Sequence, residues 1–290
     1  MLPRDVARRV RLFQVRTRKL MESGLGGEFR SVFRGRGVEF DEVRPYEPGD
    51  DVRLIDWNVT ARTDDPHIKK HIEDREQTVV LVVDVSASSA YGGAQTKREY
   101  AAEICCVLGL AAAAAGDRTA LVLFSDRVER FVAPSRGSRH ALGIARHLLR
   151  HEPAGRGTDI AGALRTLNRL VRRRALVFLV SDFHDEGYAK ALAVTARRHD
   201  LIALTVLDPR ETALPDVGLA HVEDSETGER VVVDLSDPDT RATIRRRTAE
   251  SALRIDRQCR GAGVDRATLH VGTPYDAALY RLFARRERRM

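Results

Sequence analysis

Two apolar runs in this chain end on an aspartate. "TVVLVVD", residues 78–84, stops at Asp84, and "ALVFLVSD", residues 175–182, stops at Asp182. Ser86 and Ser88 follow the first aspartate at every second position, and "GRGTDI" places Thr158 where a helix would begin. All five side chains offer oxygen and nothing softer. Hard divalent cations take oxygen ligands; magnesium in particular accepts six in octahedral array, keeps several waters and uses one or two carboxylates. Any one of these residues alone has a simpler use, since Asp, Ser and Thr cap helices and close turns. The set, two aspartates at strand ends, two serines just past one of them and a threonine at a helix start, points to a cation.

The elements that must carry these residues alternate. Strands are expected at 78–84, 118–125, 127–135, 175–182 and 201–208, and helices near 96–116, 138–151, 159–173 and 188–200. The strands read as apolar runs with little polar alternation, the pattern of a mostly parallel sheet covered on both faces. In such a sheet ligands bind beyond the carboxyl ends of the strands, which is where Asp84 and Asp182 fall. The tail predicts a hairpin around Glu226 to Gly228, a long helix stopping at Gly261 to Gly263, a strand at 264–272 and a last helix at 275–286, all expected to extend the same sheet.

Upstream, "MLPRDVARRVRLFQVRTRKL" is Arg-rich and amphipathic, with Val6, Val10, Phe13 and Leu20 near one face, and is expected to dock as a helix. "GLGGEFRSVFRGRG" has glycines but no GK[ST], so a phosphate loop is not expected there. The next stretch mixes strand-like alternation with a "PGDD" turn at Pro48 to Asp51. Three regions result: 1–77, an N-terminal helix and β-containing segment; 78–208, the core with the candidate site; and 209–290, the C-terminal extension.

D-x-S-x-S after an apolar strand, then G-T, then S-D after a later strand, resembles the von Willebrand factor A domain and its metal-ion-dependent adhesion site. The resemblance implies that Asp84, Ser86, Ser88, Thr158 and Asp182 hold Mg2+ (or Mn2+ or Ca2+), directly or through water. It also implies a three-layer, Rossmann-like α/β domain. "VRPYEPGDDVRLIDWNVTAR" followed by "KKHIEDRE" narrows this to domain-of-unknown-function family fifty-eight. The match runs through Glu47, Pro48, Gly49, Asp50, Arg53, Asp56, Trp57 and Arg62. That family implies a MoxR-type AAA+ ATPase as partner, in a chaperone-like system acting on a client protein; the residues themselves offer no acid, base and nucleophile set, so no enzymatic activity is expected. One departure is Ser89, where such domains often carry methionine.

Other chemistries are weaker. The 49 Lys and Arg against 42 Asp and Glu give a net charge of +7, but the excess is diffuse and no basic block alternates with aromatics. A nucleic-acid-associated protein is therefore a minor alternative. A metal-dependent hydrolase of unrecognised type is another, but Ser86 lacks a G-x-S-x-G elbow. His147 and His151, like His67 and His71, have zinc-pair spacing without a third ligand and read as surface or capping residues. Cys105, Cys106 and Cys259 form no C-x-x-C and read as reduced thiols. Trp57, the only tryptophan, is expected to pack the N-terminal segment onto the core, with a contact hot spot at an interface as the alternative. The longest apolar run, Ile104 to Ala115, is too short to span a membrane, and a cytoplasmic protein is expected.

Overall fold

Alternate residues of the central strands turn to opposite faces of one sheet, and each face meets its own helices. The structure, a computed structural model, describes residues 3–20, 42–47, 50–52, 55, 57–63, 65–70, 76–211 and 216–289. The chain divides into two compact units, Met1–Phe33 with Gln77–Met290, and Arg34–Glu76.

In the larger unit, helix α1 (Pro3–Leu20) comes first. The smaller unit holds β1 (Glu42–Pro45), α2 (Trp57–Thr63) and β2 (His67–Lys70). The larger unit resumes with β3 (Thr78–Asp84), α3 (Lys97–Ala114), β4 (Arg118–Phe124), β5 (Val128–Arg136), α4 (Ser138–Arg150) and α5 (Ile160–Leu170). After these come β6 (Leu176–Ser181), α6 (Ala189–Arg198), β7 (Asp200–Leu207), β8 (Leu219–Glu223), β9 (Arg230–Asp234), α7 (Pro238–Gly261), β10 (Asp265–His270) and α8 (Asp276–Glu287).

The six-stranded sheet runs in the order β10-β7-β6-β3-β4-β5. Every pairing is parallel except β4 with β5, which puts the single antiparallel strand at an edge. Val79, Leu81 and Val83 of β3 pack with Phe178 and Val180 of β6 against α1, α3, α4 and α8. Val80 and Val82 face the other way, with Val177 and Leu179, against α5, α6 and α7. Each such side chain, when fully buried, contributes about 1.5–3 kcal/mol, so the two faces hold the strand ends in fixed register. This is the expected three-layer α/β architecture.

Helix α3 begins at a capping box: Thr96 accepts from the Glu99 amide, and the Glu99 carboxylate accepts from the Thr96 amide. Helix α1 lies in the same core through Val6, Val10 and Phe13. It is tied to α3 by Arg9 to Glu99 at 2.8 Å and Arg16 to the buried Glu103 at 2.7 Å. The amphipathic helix therefore docks as its pattern predicts, but it belongs with the main unit, whereas the sequence grouping placed it with residues 1–77.

The C-terminal region also departs from expectation. Strand β10 joins the main sheet beside β7. The β8–β9 hairpin pairs only with itself, as a separate two-stranded sheet. Ala220 and Val222 lie opposite Val233 and Val231 on one face, yet Val222 and Val231, like Leu219 and Val232, stay exposed.

Within the smaller unit, β1 and β2 form an antiparallel ladder. Asp50 accepts from the Arg44 guanidinium at 2.7 Å and from the Glu47 amide at 3.0 Å, closing the turn. Trp57 is 70% exposed and opens the short helix α2. Residues 24–37, Pro48, Gly49, Arg53, Asp56 and His71 lie outside the described residues. No helix among the described residues is long and apolar enough to cross a membrane.

Candidate functional site

Four of the five sequence-derived residues meet in one hydrogen-bonded cluster at the carboxyl ends of the neighbouring strands β3 and β6. Asp84 is the last residue of β3 and only 6% exposed. Its Oδ1 accepts the Ser86 amide at 2.9 Å, and its Oδ2 accepts the hydroxyl of Ser181 at 2.6 Å. The Ser88 hydroxyl donates to Asp182 Oδ2 at 3.0 Å. Ser88 has one proton and has given it to Asp182, so in the 3.0 Å contact between the two serine hydroxyls Ser86 is the donor.

Asp182 sits one residue beyond β6, and its Oδ1 accepts the His184 amide at 3.2 Å. The next residue, Phe183, has φ 62°, a left-handed conformation that costs a non-glycine residue about 1–3 kcal/mol. Three features hold it: the Ser181 hydroxyl accepts the Phe183 amide at 3.0 Å, the ring is fully buried, and Tyr188 stands 5.8 Å away centroid to centroid. The kink re-aims the chain just after the aspartate. Ser89, the departure from the family pattern, is buried and donates to the Ser86 carbonyl at 2.7 Å, bracing the serine loop from beneath.

Thr158 lies on a third loop. The carbonyl of Arg156 accepts the Ala87 amide at 2.9 Å, which fastens this loop to the serine loop, and the Asp159 amide donates to the Ser125 carbonyl at 2.8 Å. The helix cap is Asp159, which accepts from the Gly162 amide at 2.7 Å. Thr158 is therefore released from the capping role that would have been its simplest explanation. Its hydroxyl donates to Glu226 Oε1, on the hairpin turn, at 2.7 Å, and not to any of the other four residues.

Sequence reasoning missed Lys97. Its side chain is buried, and its ammonium lies 2.7 Å from Asp182 Oδ2 and 2.6 Å from Glu211 Oε1. A signal was present: Lys97 is the first residue of α3, where a positive charge opposes the helix dipole and needs local acids to hold it. Burial, the largest single influence, would raise the Asp182 carboxyl, but the charge and hydrogen bond of Lys97, together with the charge and amide of His184, hold it below the usual range. Asp84 has no such cation. Burial, with the charge of Asp182 behind it, pushes its carboxyl up to about 7. Burial and the charges of Asp182 and Asp224 likewise raise the Glu226 carboxyl.

A small cavity of about 20 Å3, room for one water-sized occupant, touches Asp84, Ser88, Lys97, Ser181 and Asp182. A carboxylate oxygen accepts about two hydrogen bonds. Asp84 Oδ1 and Oδ2 and Asp182 Oδ1 each accept one here, so each retains capacity for another electrophile. The donor set of carboxylate and hydroxyl oxygens is thus chemically suited to a hard cation. Among the described residues no three His, Cys, Asp or Glu side chains gather as a metal cluster; this set is of another kind, two acids completed by hydroxyls.

The remaining candidates stay apart from the site. His151 lies beyond the end of α4, 3.6 Å from Glu129, and His67 is on a strand, bonded to the Asp65 carbonyl. All three cysteines are free and buried, with thiols raised by burial.

The fold defines a mixed α/β protein with a mostly parallel six-stranded sheet flanked by helices. The chain belongs to the family described as protein of unknown function DUF58, which matches residues 42–254. Uncharacterized proteins of Mycobacterium tuberculosis and Mycobacterium bovis are each 34% identical over 98% of this chain and 90% of their own length. Among solved structures, BatB from Bacteroides thetaiotaomicron is 14% identical, with TM-score 0.45, over 74% of this chain and 100% of that one. An aerotolerance-related membrane protein from Bacteroides fragilis matches with the same figures.

Proposed function

We propose that this chain is a cation-dependent protein-binding module of the von Willebrand factor A type, and not an enzyme. The observation that carries the reading is the hydrogen-bonded cluster of Asp84, Ser86, Ser88 and Asp182, with the Thr158 loop fastened beside it. Asp84, Ser86, Ser88, Thr158 and Asp182 would hold Mg2+ (or Mn2+ or Ca2+). Once bound, the ion supplies a Lewis-acidic position that a carboxylate from a partner fills.

The chain's own residues prepare that encounter. Three of the five donors are neutral hydroxyls, so they add no charge that would repel an incoming acid. Ser181 and the Ser86 amide fix the Asp84 carboxylate in orientation, and the Phe183 kink does the same for Asp182. Lys97 allows Asp182 to stay ionised while buried. Binding rather than turnover is favoured because the carboxylates that accept from Ser88 and Ser181 are the oxygens the ion would occupy, which leaves them unfit to serve as bases on those hydroxyls.

The family resemblance makes a MoxR-type AAA+ ATPase the partner of choice, acting with this chain on a client protein in the cytoplasm. The test is capture of a co-expressed AAA+ ATPase of that type. Capture should be lost in EDTA and with Asp84→Ala, because removing one member of a buried charge contact at an interface costs about 2–5 kcal/mol. Capture that is indifferent to both treatments would overturn the reading.

A further inference from the structure

The β8–β9 hairpin stands outside the main sheet, yet its turn is anchored at two points to the loop that carries Thr158. The Thr158 hydroxyl donates to Glu226 Oε1 at 2.7 Å, and the Arg156 guanidinium donates to the Ser225 carbonyl at 3.0 Å. A side chain added at Gly157 would meet Glu226 Oε2 at 3.8 Å, so the glutamate lies across the Gly157–Thr158 backbone. The turn is itself rigid: Asp224 Oδ1 accepts the amides of Glu226 and Thr227 at 2.8 and 2.9 Å. A two-stranded hairpin is only marginally stable alone. Nothing in its exposed apolar strands explains why its turn should be pinned here, where the charge of the buried Asp182 repels Glu226.

A hydroxyl has one proton and two lone pairs, and an ionised carboxylate can only accept. Glu226 therefore compels Thr158 to donate toward the hairpin, which turns the Thr158 lone pairs away from it and leaves them for another electrophile. We propose that Glu226 is a positioning residue of the cation site, supplied by the hairpin, which fixes Thr158 as an oxygen donor to a divalent cation. The inference rests on the cation-site reading above and extends it to a region that the strand-end motifs do not include. On this view the hairpin exists to deliver one acid to the rim of the site.

The test is Mn2+ binding by calorimetry, together with water-proton relaxation per bound ion, on the full chain. Glu226→Ala should weaken Mn2+ binding roughly 10-fold and raise the relaxation enhancement, because a water replaces the misaligned threonine oxygen. Glu226→Gln, which keeps an acceptor at the same reach, should recover part of the loss. Glu229→Ala, on the same hairpin, should bind as wild type does. Thr158→Val combined with Glu226→Ala should be no weaker than Thr158→Val alone, since the glutamate acts through the threonine. Circular dichroism and melting curves exclude misfolding as the cause. If Glu226→Ala binds Mn2+ with wild-type affinity and relaxation, or if the two substitutions are additive, the inference is overturned while the cation site stands. If wild type binds no Mn2+, the cation-site reading itself fails, and the inference fails with it.

Discussion

The two ends of the parallel sheet solve the same electrostatic problem in opposite ways. At the amino end, Asp200 opens β7 and Asp265 opens β10, and the buried Arg286 guanidinium bridges both. Arg285 and Arg289 approach Asp265 as well, at 3.7 and 3.1 Å, so cations outnumber acids there. At the carboxyl end the ratio is reversed. Asp182 and Glu211 share one ammonium, that of Lys97, Asp84 has none of its own, and Glu226 adds a further acid at the rim. Asp208, which follows β7 at the same edge, is paired within its own turn to Arg210. An end whose charges are neutralised by the chain itself is architecture. An end that keeps buried acids beyond its own cations is suited to receiving one from outside.

The comparison can be broken most forcefully at Lys97. Lys97→Met leaves Asp182 and Glu211 without their shared cation, and stripping one partner from a buried pair costs about 3–5 kcal/mol. Urea melts should record that loss in EDTA. Ser181→Ala should come next, at about 1.5–3 kcal/mol, because it removes the 2.6 Å donor to the Asp84 carboxylate and the acceptor for the Phe183 amide. Arg286→Met is the counterpart at the other end. Water reaches Asp200 and Asp265 in part, so a loss of about 1–2 kcal/mol is expected. It should leave cation affinity unchanged; an effect on Mn2+ binding would erase the contrast between the two ends.

The smallest effect concerns His199, also at the amino end. The ring is fully buried, neither nitrogen has a hydrogen-bond partner, and burial, reinforced by the charges of Arg198 and Arg174, lowers its pKa from 6.5 to about 4. The unfolded chain takes up a proton as pH falls below about 6.5 while the folded chain does not. Stability should therefore be complete above pH 6.5 and decline toward pH 4, by on the order of 1–2 kcal/mol. His199→Phe should flatten that acid limb; an unchanged limb would show that other groups set it.

How much of this was legible in the sequence follows from what each residue's role depends on. Asp84 and Asp182 were legible because each ends an apolar run, and strand position alone sets where such residues emerge. Ser86 and Ser88 followed from their spacing to Asp84. Lys97, Glu211 and Glu226 were not legible, since their roles exist only after distant segments meet: Lys97 and Asp182 are separated by 85 positions, and Thr158 and Glu226 by 68. Thr158 was placed correctly near a helix start, but the neighbouring Asp159 takes the cap and frees it. The hairpin was foreseen as a hairpin, yet its sequence says nothing about which edge it would or would not join.

The central claim, that the carboxyl end of the sheet holds a divalent cation on Asp84, Ser86, Ser88, Thr158 and Asp182, is tested most directly by titrating Mn2+ into the metal-free chain in a calorimeter, for wild type and Asp84→Ala side by side. The account predicts one saturable site in wild type and none in Asp84→Ala, with both chains folded by circular dichroism. Equal binding in the two proteins, or no binding in either, would contradict it.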